Sequence, residues 1–313
     1  MNPLLVGSSN AGIGFPPAME ILQGGGRAVD AVVAAIATVE ANPDDHSVGF
    51  GGLPNLLGEV ELDASLMDGT TLATGAVGAL TGFRDAIALA RSVMESLPHV
   101  LVVAHGAVQL ATETGVEPVD LLTSEAERIW RERLEGLSEP DAAYLARVRD
   151  LVAGLTRDPE HPDRPADVHG TANVIARDAH GHIASGVSTS GWAWKYPGRL
   201  GDSPIIGAGN FADDRFGAAA CTGRGEMAQR LCTAHSVVMA MRFGRSLDEA
   251  LSLAAEDLHD LRDPYASEVN IIAIDCHGNH AAVSTAPDKT YVVQTGEMSA
   301  PQELERRHVP AAD

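Results

Sequence analysis

The run His169-Gly170-Thr171-Ala172-Asn173-Val174-Ile175-Ala176-Arg177 decides how this chain folds, because it sets a glycine and a threonine directly before a strand. Residues 172–177 are mostly apolar, and residues 183–188 form a second such run across Asp178-Ala179-His180-Gly181. A turn-forming tetrapeptide between two strand-like runs predicts a β-hairpin. Thr171 therefore stands directly after a glycine and before a strand, where it can become a new amino terminus by self-cleavage of the peptide bond before it. If that bond is cut, Thr171 gains a free α-amino group, whose ordinary pKa is near 8. Such an amine accepts the hydroxyl proton near neutral pH, so one residue supplies both nucleophile and base. An isolated Gly-Thr pair is ordinarily only a turn leading into a strand, and the rest of the chain has to support the sharper reading.

Outward from this hairpin the pattern is α/β. Residues 157–169 are rich in Asp, Pro, His and Arg and read as a mobile linker. Before the linker, strands are expected at residues 3–8, 59–64 and 100–104, and helices at 16–23, 27–41, 85–97 and 118–133. Pro118 falls in a first turn, where its missing N–H costs nothing. After the hairpin, helices are expected at residues 226–243 and 247–258, and a second hairpin joins residues 269–275 and 280–284 across Cys276-His277-Gly278-Asn279. This order suggests two sheets packed together and covered by helices, with the linker ending at the rim of the core.

Composition limits the partners. With 313 residues, 45% of them apolar, the chain buries a substantial core as one large domain or two small ones. Its 43 acidic and 22 basic side chains give a net charge of −21, which repels nucleic acid and anionic membrane alike while leaving a small zwitterionic substrate compatible. Residues 1–7 lack a basic n-region, and no apolar segment approaches the roughly 18 residues of a membrane span, so a soluble cytoplasmic protein is expected. Cys221, Cys232 and Cys276 are an odd number without framework spacing and read as free, buried thiols. No metal site and no cofactor is expected. His161, His169, His180, His182, His277 and His280 fall in linker or turn positions, and Gly49-Phe50-Gly51-Gly52 lacks the Gly-Lys-Ser/Thr of a phosphate loop. Trp192 and Trp194 are compatible with a substrate rim or with packing.

The blocks Ser47 to Gly52, Leu62 to Gly69, Gly75-Ala76-Val77, His169-Gly170-Thr171, Gly198 to Pro204, Gly207-Ala208-Gly209 and Thr222-Gly223 occur in an order that resembles the N-terminal-nucleophile threonine amidohydrolases. That family comprises glycosylasparaginases and plant-type asparaginases, or isoaspartyl peptidases. The resemblance implies a four-layer αββα sandwich forming one structural domain. It also implies self-cleavage between Gly170 and Thr171 into fragments 1–170 and 171–313. A homodimer of such two-chain protomers is the family's habit.

On this resemblance Thr171 is the nucleophile and Thr189 supports it. Arg199 clamps the substrate α-carboxylate as a planar two-pronged donor, and Asp202 takes the α-ammonium. Thr222 and the Gly223 backbone N–H form the oxyanion hole, and Ser47 lies beside the nucleophile. The expected reaction is hydrolysis of the β-amide of an L-aspartyl unit, a small-molecule substrate. On residues alone, the alternative is that Arg199 and Asp202 simply pair as a surface salt bridge.

Details divide between the branches. Ser47 to Gly52 and Gly58 to Leu62 look like glycosylasparaginases, the branch the chain resembles most. Gly170 stands where those usually carry aspartate, and Asn10-Ala11 where they have a threonine and a tryptophan. Cys221 to Glu226 resembles the isoaspartyl side. The leaving group stays open among ammonia, an amino acid and a glycosylamine. Two other readings stay open as well: an aspartyl-ligand binding protein that does not cut itself, and a biosynthetic amidase acting on a larger aspartyl-linked compound.

Overall fold

The computed structural model describes residues 1–134 and 170–311. The expected linker at residues 157–169 lies outside them.

The predicted hairpin is present. Strands β5 (Ala172–Arg177) and β6 (Ile183–Thr189) run antiparallel, from Ala172 opposite Ser188 to Arg177 opposite Ile183. Asp178 closes the turn, its Oδ1 accepting from the backbone N–H groups of His180 at 2.8 Å and His182 at 3.0 Å. The hairpin is the middle of an eight-stranded sheet. β1 (Leu4–Ser8) borders β5, and beyond it lie β11 (Thr290–Thr295) and β12 (Gln302–Glu305). On the other side β6 borders β2 (Leu62–Asp68), then β3 (Thr74–Leu80) and β4 (Leu101–Val103). A second sheet of five strands has the order β13 (Arg307–His308), β10 (His280–Ser284), β9 (Val269–Asp275), β8 (Gly217–Gly223) and β7 (Asn210–Asp213).

Side-chain alternation assigns the faces. Leu4 and Val6 of β1, Ile175 of β5 and Ile183 and Val187 of β6 meet Ala218 and Ala220 of β8 and Ile272 and Ile274 of β9 in one buried cluster between the sheets. The opposite residues Leu5, Val174, Ala176 and Ala184 pack on helices α1 (Phe15–Gln23) and α2 (Ala28–Glu40). β2, β3 and helices α3 (Ala86–Ser96) and α4 (His105–Glu113) share a further cluster. Ala219 and Cys221 of β8 and Ile271 and Ala273 of β9 likewise pack on α6 (Gly225–Leu231), α7 (Thr233–Arg242) and α8 (Leu247–Asp260). Both faces of both sheets are thus apolar. The protein is mixed α/β, with two facing sheets and helices on their far sides.

Several boundaries differ from expectation. The strand expected at 59–64 begins only at Leu62, because the Asn55 side chain accepts from the backbone N–H groups of Leu57 at 2.8 Å and Glu59 at 3.2 Å, holding a turn. The helix expected at 118–133 is α5 (Ser124–Leu134), since the Val119 N–H donates instead to the carbonyl of Gly82 at 2.8 Å. The single helix expected at 226–243 is broken at Cys232, which has φ 49°. There the first N–H groups of α7 bond outside the helix, Ala234 N–H donating to the Ala208 carbonyl at 3.4 Å and His235 N–H to the Gly207 carbonyl at 2.8 Å. All three cysteines are free, as expected, but only Cys221 is buried.

Candidate active site

Thr171 is buried at the start of β5, where the larger sheet leans over the C-terminal end of β8. The neighbouring Asn173 bridges the sheets, its Nδ2 donating to the Cys221 carbonyl at 2.7 Å. The carbonyl that precedes Thr171 is also held: Thr189 Oγ1 donates to Gly170 O at 2.8 Å and accepts from the Gly191 N–H at 2.9 Å. A hydroxyl aimed at a carbonyl can stabilise negative charge that develops on its oxygen.

Gly170 is required by packing. A Cβ at this position would stand 2.0 Å from Ser47 Oγ and 2.3 Å from Ser47 Cβ. Ser47 does not yield easily, since both its N–H and its Oγ donate to Asp45 Oδ1, and Asp45 Oδ2 accepts from Asn10 Nδ2 at 2.8 Å. The carboxylate of Asp45 therefore fixes the serine that fits against the glycine.

Two cavities meet at Gly170 and Thr171. The first is tight, about 10 Å³, and is lined by Thr189, Arg199, Asp202 and Gly223 together with Trp192. The second is about 510 Å³ and is lined by Ser47, Thr222 and Asn270 among others. The structure thus gathers all the residues expected at the site, but on two sides of Thr171. Thr222 and Ser47 face the wide cavity, and Gly223 faces the tight one.

Arg199 and Asp202 are not a surface pair. Arg199 Nε donates to Glu226 Oε1 at 3.0 Å, leaving its buried Nη2 without a hydrogen-bond partner, while Asp202 Oδ2 is buried and equally unpartnered. A Cβ on Gly225 would lie 2.7 Å from Asp202 Oδ1 and 3.2 Å from Arg199 Nη2, so glycine keeps open the space where the two groups converge. Burial pushes Asp202 up to about 7 against the pull of Arg199. Burial also opposes the charge on Arg199, but Glu226 outweighs it and holds the guanidinium above its ordinary value. A buried cation and a buried acid that each leave one atom unpartnered at one cavity are suited to a zwitterion, which satisfies both.

The supports of this pair lay outside the sequence expectation. Glu61 Oε1 accepts from the Gly198 N–H at 2.8 Å, and Asp63 Oδ2 accepts from the Gly201 N–H at 3.3 Å, so the two acids pin the turn that carries Arg199 and Asp202. Buried Lys195 donates to the Glu61 carbonyl at 3.0 Å. Arg224 lies 4.1 Å from the Trp192 ring centroid and pairs with Glu226 at 3.2 Å. The adjacency of Arg224 and Glu226 to Thr222-Gly223 was a legible hint, but their pairing with Arg199 depends on the fold. Trp192 is a cavity residue, whereas Trp194 packs with Leu53 and Ala126.

Among the described residues, no group of three or more His, Cys, Asp or Glu side chains is placed to hold a metal ion, and no helix is long and apolar enough to cross a membrane.

Residues 16–301 match the family model Asparaginase_2, described as asparaginase. The chain is 35% identical over 289 residues to N(4)-(beta-N-acetylglucosaminyl)-L-asparaginase of Elizabethkingia miricola, covering 90% of this chain and 78% of that protein. It is 35% identical to isoaspartyl peptidase/L-asparaginase of Danio rerio, over 84% of this chain and 77% of the relative. It is also 34% identical to plant-type L-asparaginase of Pyrococcus abyssi, over 88% and 86%. The chain belongs to the asparaginase family and is a hydrolase of the N-terminal-nucleophile type.

Proposed function

We propose that this protein cuts itself between Gly170 and Thr171 and then hydrolyses the side-chain amide of an L-aspartyl unit, releasing aspartate. The observation that carries this reading is the convergence of Arg199 Nη2 and Asp202 Oδ2, both buried and unpartnered, on a cavity that includes Thr171. Arg199 binds the α-carboxylate and Asp202 the α-ammonium. The β-carbonyl of the substrate then reaches Thr171, whose free amine takes the hydroxyl proton as Oγ1 attacks. Thr222 Oγ1 and the Gly223 N–H stabilise the oxyanion; losing one such donor costs about 100- to 1,000-fold in rate. The amine returns the proton to the leaving nitrogen, and water cleaves the resulting ester. The leaving nitrogen departs towards the wide cavity. In this reading the fold is a four-layer αββα sandwich of one domain, built from fragments 1–170 and 171–313, and two such protomers pair. Intact mass and amino-terminal sequencing of the purified protein test it: two fragments are expected, the second starting at Thr171, and a single stable chain overturns it.

Gly170→Ala is expected to slow self-cleavage roughly 10- to 100-fold, because its Cβ pushes the carbonyl away from Thr189 with the strain of an overpacked core, about 1–3 kcal/mol. Ser47→Gly in the same chain removes both atoms that the new Cβ would meet, and gel-resolved cleavage rates should recover in the double variant.

Asp202 gives the aspartate site a pH dependence. Its folded pKa of about 7 lies above the ordinary 3.8, so the empty protein favours the protonated acid, and that stability is lost as pH rises from about 4 to about 7. A bound ammonium favours the ionised form instead. Calorimetric affinity for L-aspartate should therefore rise with pH up to about 7 and then level, and Asp202→Asn should flatten the profile.

A further inference from the structure

Arg306 lies between β12 and β13, beyond residue 301 where the family match ends. It lines the wide cavity and is only 8% exposed. Its position is fixed by the backbone: Nε donates to the Thr290 carbonyl at 2.8 Å, and its N–H donates to the Lys289 carbonyl at 2.7 Å. The Nη1 group is buried and has no hydrogen-bond partner. The adjacent acid, Glu268, is taken by Lys289 Nζ at 2.6 Å, and among the described residues no carboxylate pairs with Arg306. Burial lowers its pKa only to about 10, so it is charged at neutral pH. A buried guanidinium with one free fork costs stability until an anion completes it.

A second unpartnered atom faces the same cavity. Asn270 stands opposite Thr222 in the β8–β9 ladder, is 8% exposed, and its Oδ1 is buried without a partner. An acceptor beside the oxyanion residues suits the N–H of a departing amine, and a planar cation on the same cavity suits a carboxylate. One group carrying an amine and a carboxylate is an α-amino acid.

Resting on the function proposed above, we propose that the wide cavity receives the amino-acid half of an isoaspartyl dipeptide, with Arg306 binding its terminal carboxylate and Asn270 accepting from its nitrogen. Ammonia from asparagine is too small to engage Arg306 and Asn270 together. A neutral glycosylamine offers Arg306 hydroxyls but no countercharge. The cavity, at about 510 Å³, has space for an amino acid with a sizeable side chain.

The test compares β-aspartyl-leucine with the same dipeptide bearing a C-terminal amide, using the self-processed wild-type protein. Loss of a charge-assisted contact predicts kcat/KM about 10- to 100-fold higher for the free carboxylate. Arg306→Gln should bring the two substrates to parity, and Arg306→Lys should restore part of the preference. Because the ratio is taken within one protein sample, a lower active fraction does not move it. Equal turnover of both dipeptides by wild type, or a preference that survives Arg306→Gln, overturns the role of Arg306 while leaving β-amide hydrolysis intact. A wild type inert towards both dipeptides and towards L-asparagine overturns the underlying function as well. Should Arg306→Gln fail to fold, the wild-type ratio alone decides.

Discussion

Thr171→Ala is expected to leave one uncut chain and to lower turnover of every β-aspartyl amide by more than about 10⁴-fold, the scale seen when a nucleophile acting as part of a unit is removed. The size follows from a double loss. Alanine has no hydroxyl to attack the Gly170 carbonyl, so the polarising contact from Thr189 Oγ1 at 2.8 Å has no nucleophile to assist. Without the cut there is no α-amine at position 171, and a base is lost together with the nucleophile. Thr171→Ser separates the two: it keeps a hydroxyl, so fragments should still form, though more slowly, because serine lacks the methyl group that restricts χ1. Mass spectrometry over days after purification, paired with ammonia or amine release, checks both variants. Cleavage of Thr171→Ala at residue 170, or hydrolysis by it near the wild-type rate, excludes Thr171 as the nucleophile.

The placement of Thr171 was readable because it rests on local signals. A turn tetrapeptide and two flanking runs set the β5–β6 hairpin, and the hairpin sets the threonine at its mouth. Strands whose signal is tertiary were missed. β8 reads Gly217-Ala218-Ala219-Ala220-Cys221-Thr222-Gly223, small residues with little intrinsic strand preference. They are strand because both faces are covered, Ala218 and Ala220 by the larger sheet and Ala219 and Cys221 by helices. The break at Cys232 was hidden for the same reason, since it depends on carbonyls at residues 207 and 208 that no helical period reveals.

At the site, the charged turn was visible as a block, but its wiring was not. The alternative of a salt bridge between Arg199 and Asp202 was reasonable from spacing alone. In the fold Arg199 turns to Glu226, and the two groups converge on an open space with an unpartnered atom each. Nor could periodicity show that Glu61 and Asp63, at the entry to β2, brace that turn from 137 and 138 residues away, since a local pattern carries no information on such contacts. Arg306 had no signal at all, because it belongs to none of the ordered blocks.

Arg199→Ala carries the second large effect, a fall in kcat/KM of roughly 100- to 1,000-fold expressed mainly as weaker substrate binding. Among the described residues Arg199 is the one guanidinium lining the tight cavity, in the proposed reading it takes the α-carboxylate, and removing one partner of a buried charged contact costs about 3–5 kcal/mol. Part of that cost falls on the empty protein. Glu226 loses its contact at 3.0 Å but keeps Arg224 at 3.2 Å, so the local charge balance is weakened rather than abolished. Asp202 loses the cation that opposes its upward shift, rises further, and is more fully protonated at neutral pH, which also weakens its hold on the ammonium. Arg199→Lys should recover only part of the loss, since a point charge on a flexible stem cannot match a planar fork. Both variants should still form the two fragments, because the hydrogen bond that holds the Gly170 carbonyl comes from Thr189 and not from Arg199. Steady-state kinetics with L-asparagine and an isoaspartyl dipeptide, together with calorimetric binding of L-aspartate, separate binding from chemistry. An Arg199→Ala protein that binds aspartate as tightly as wild type removes the clamp, and with it the reason for reading the tight cavity as an aspartyl site.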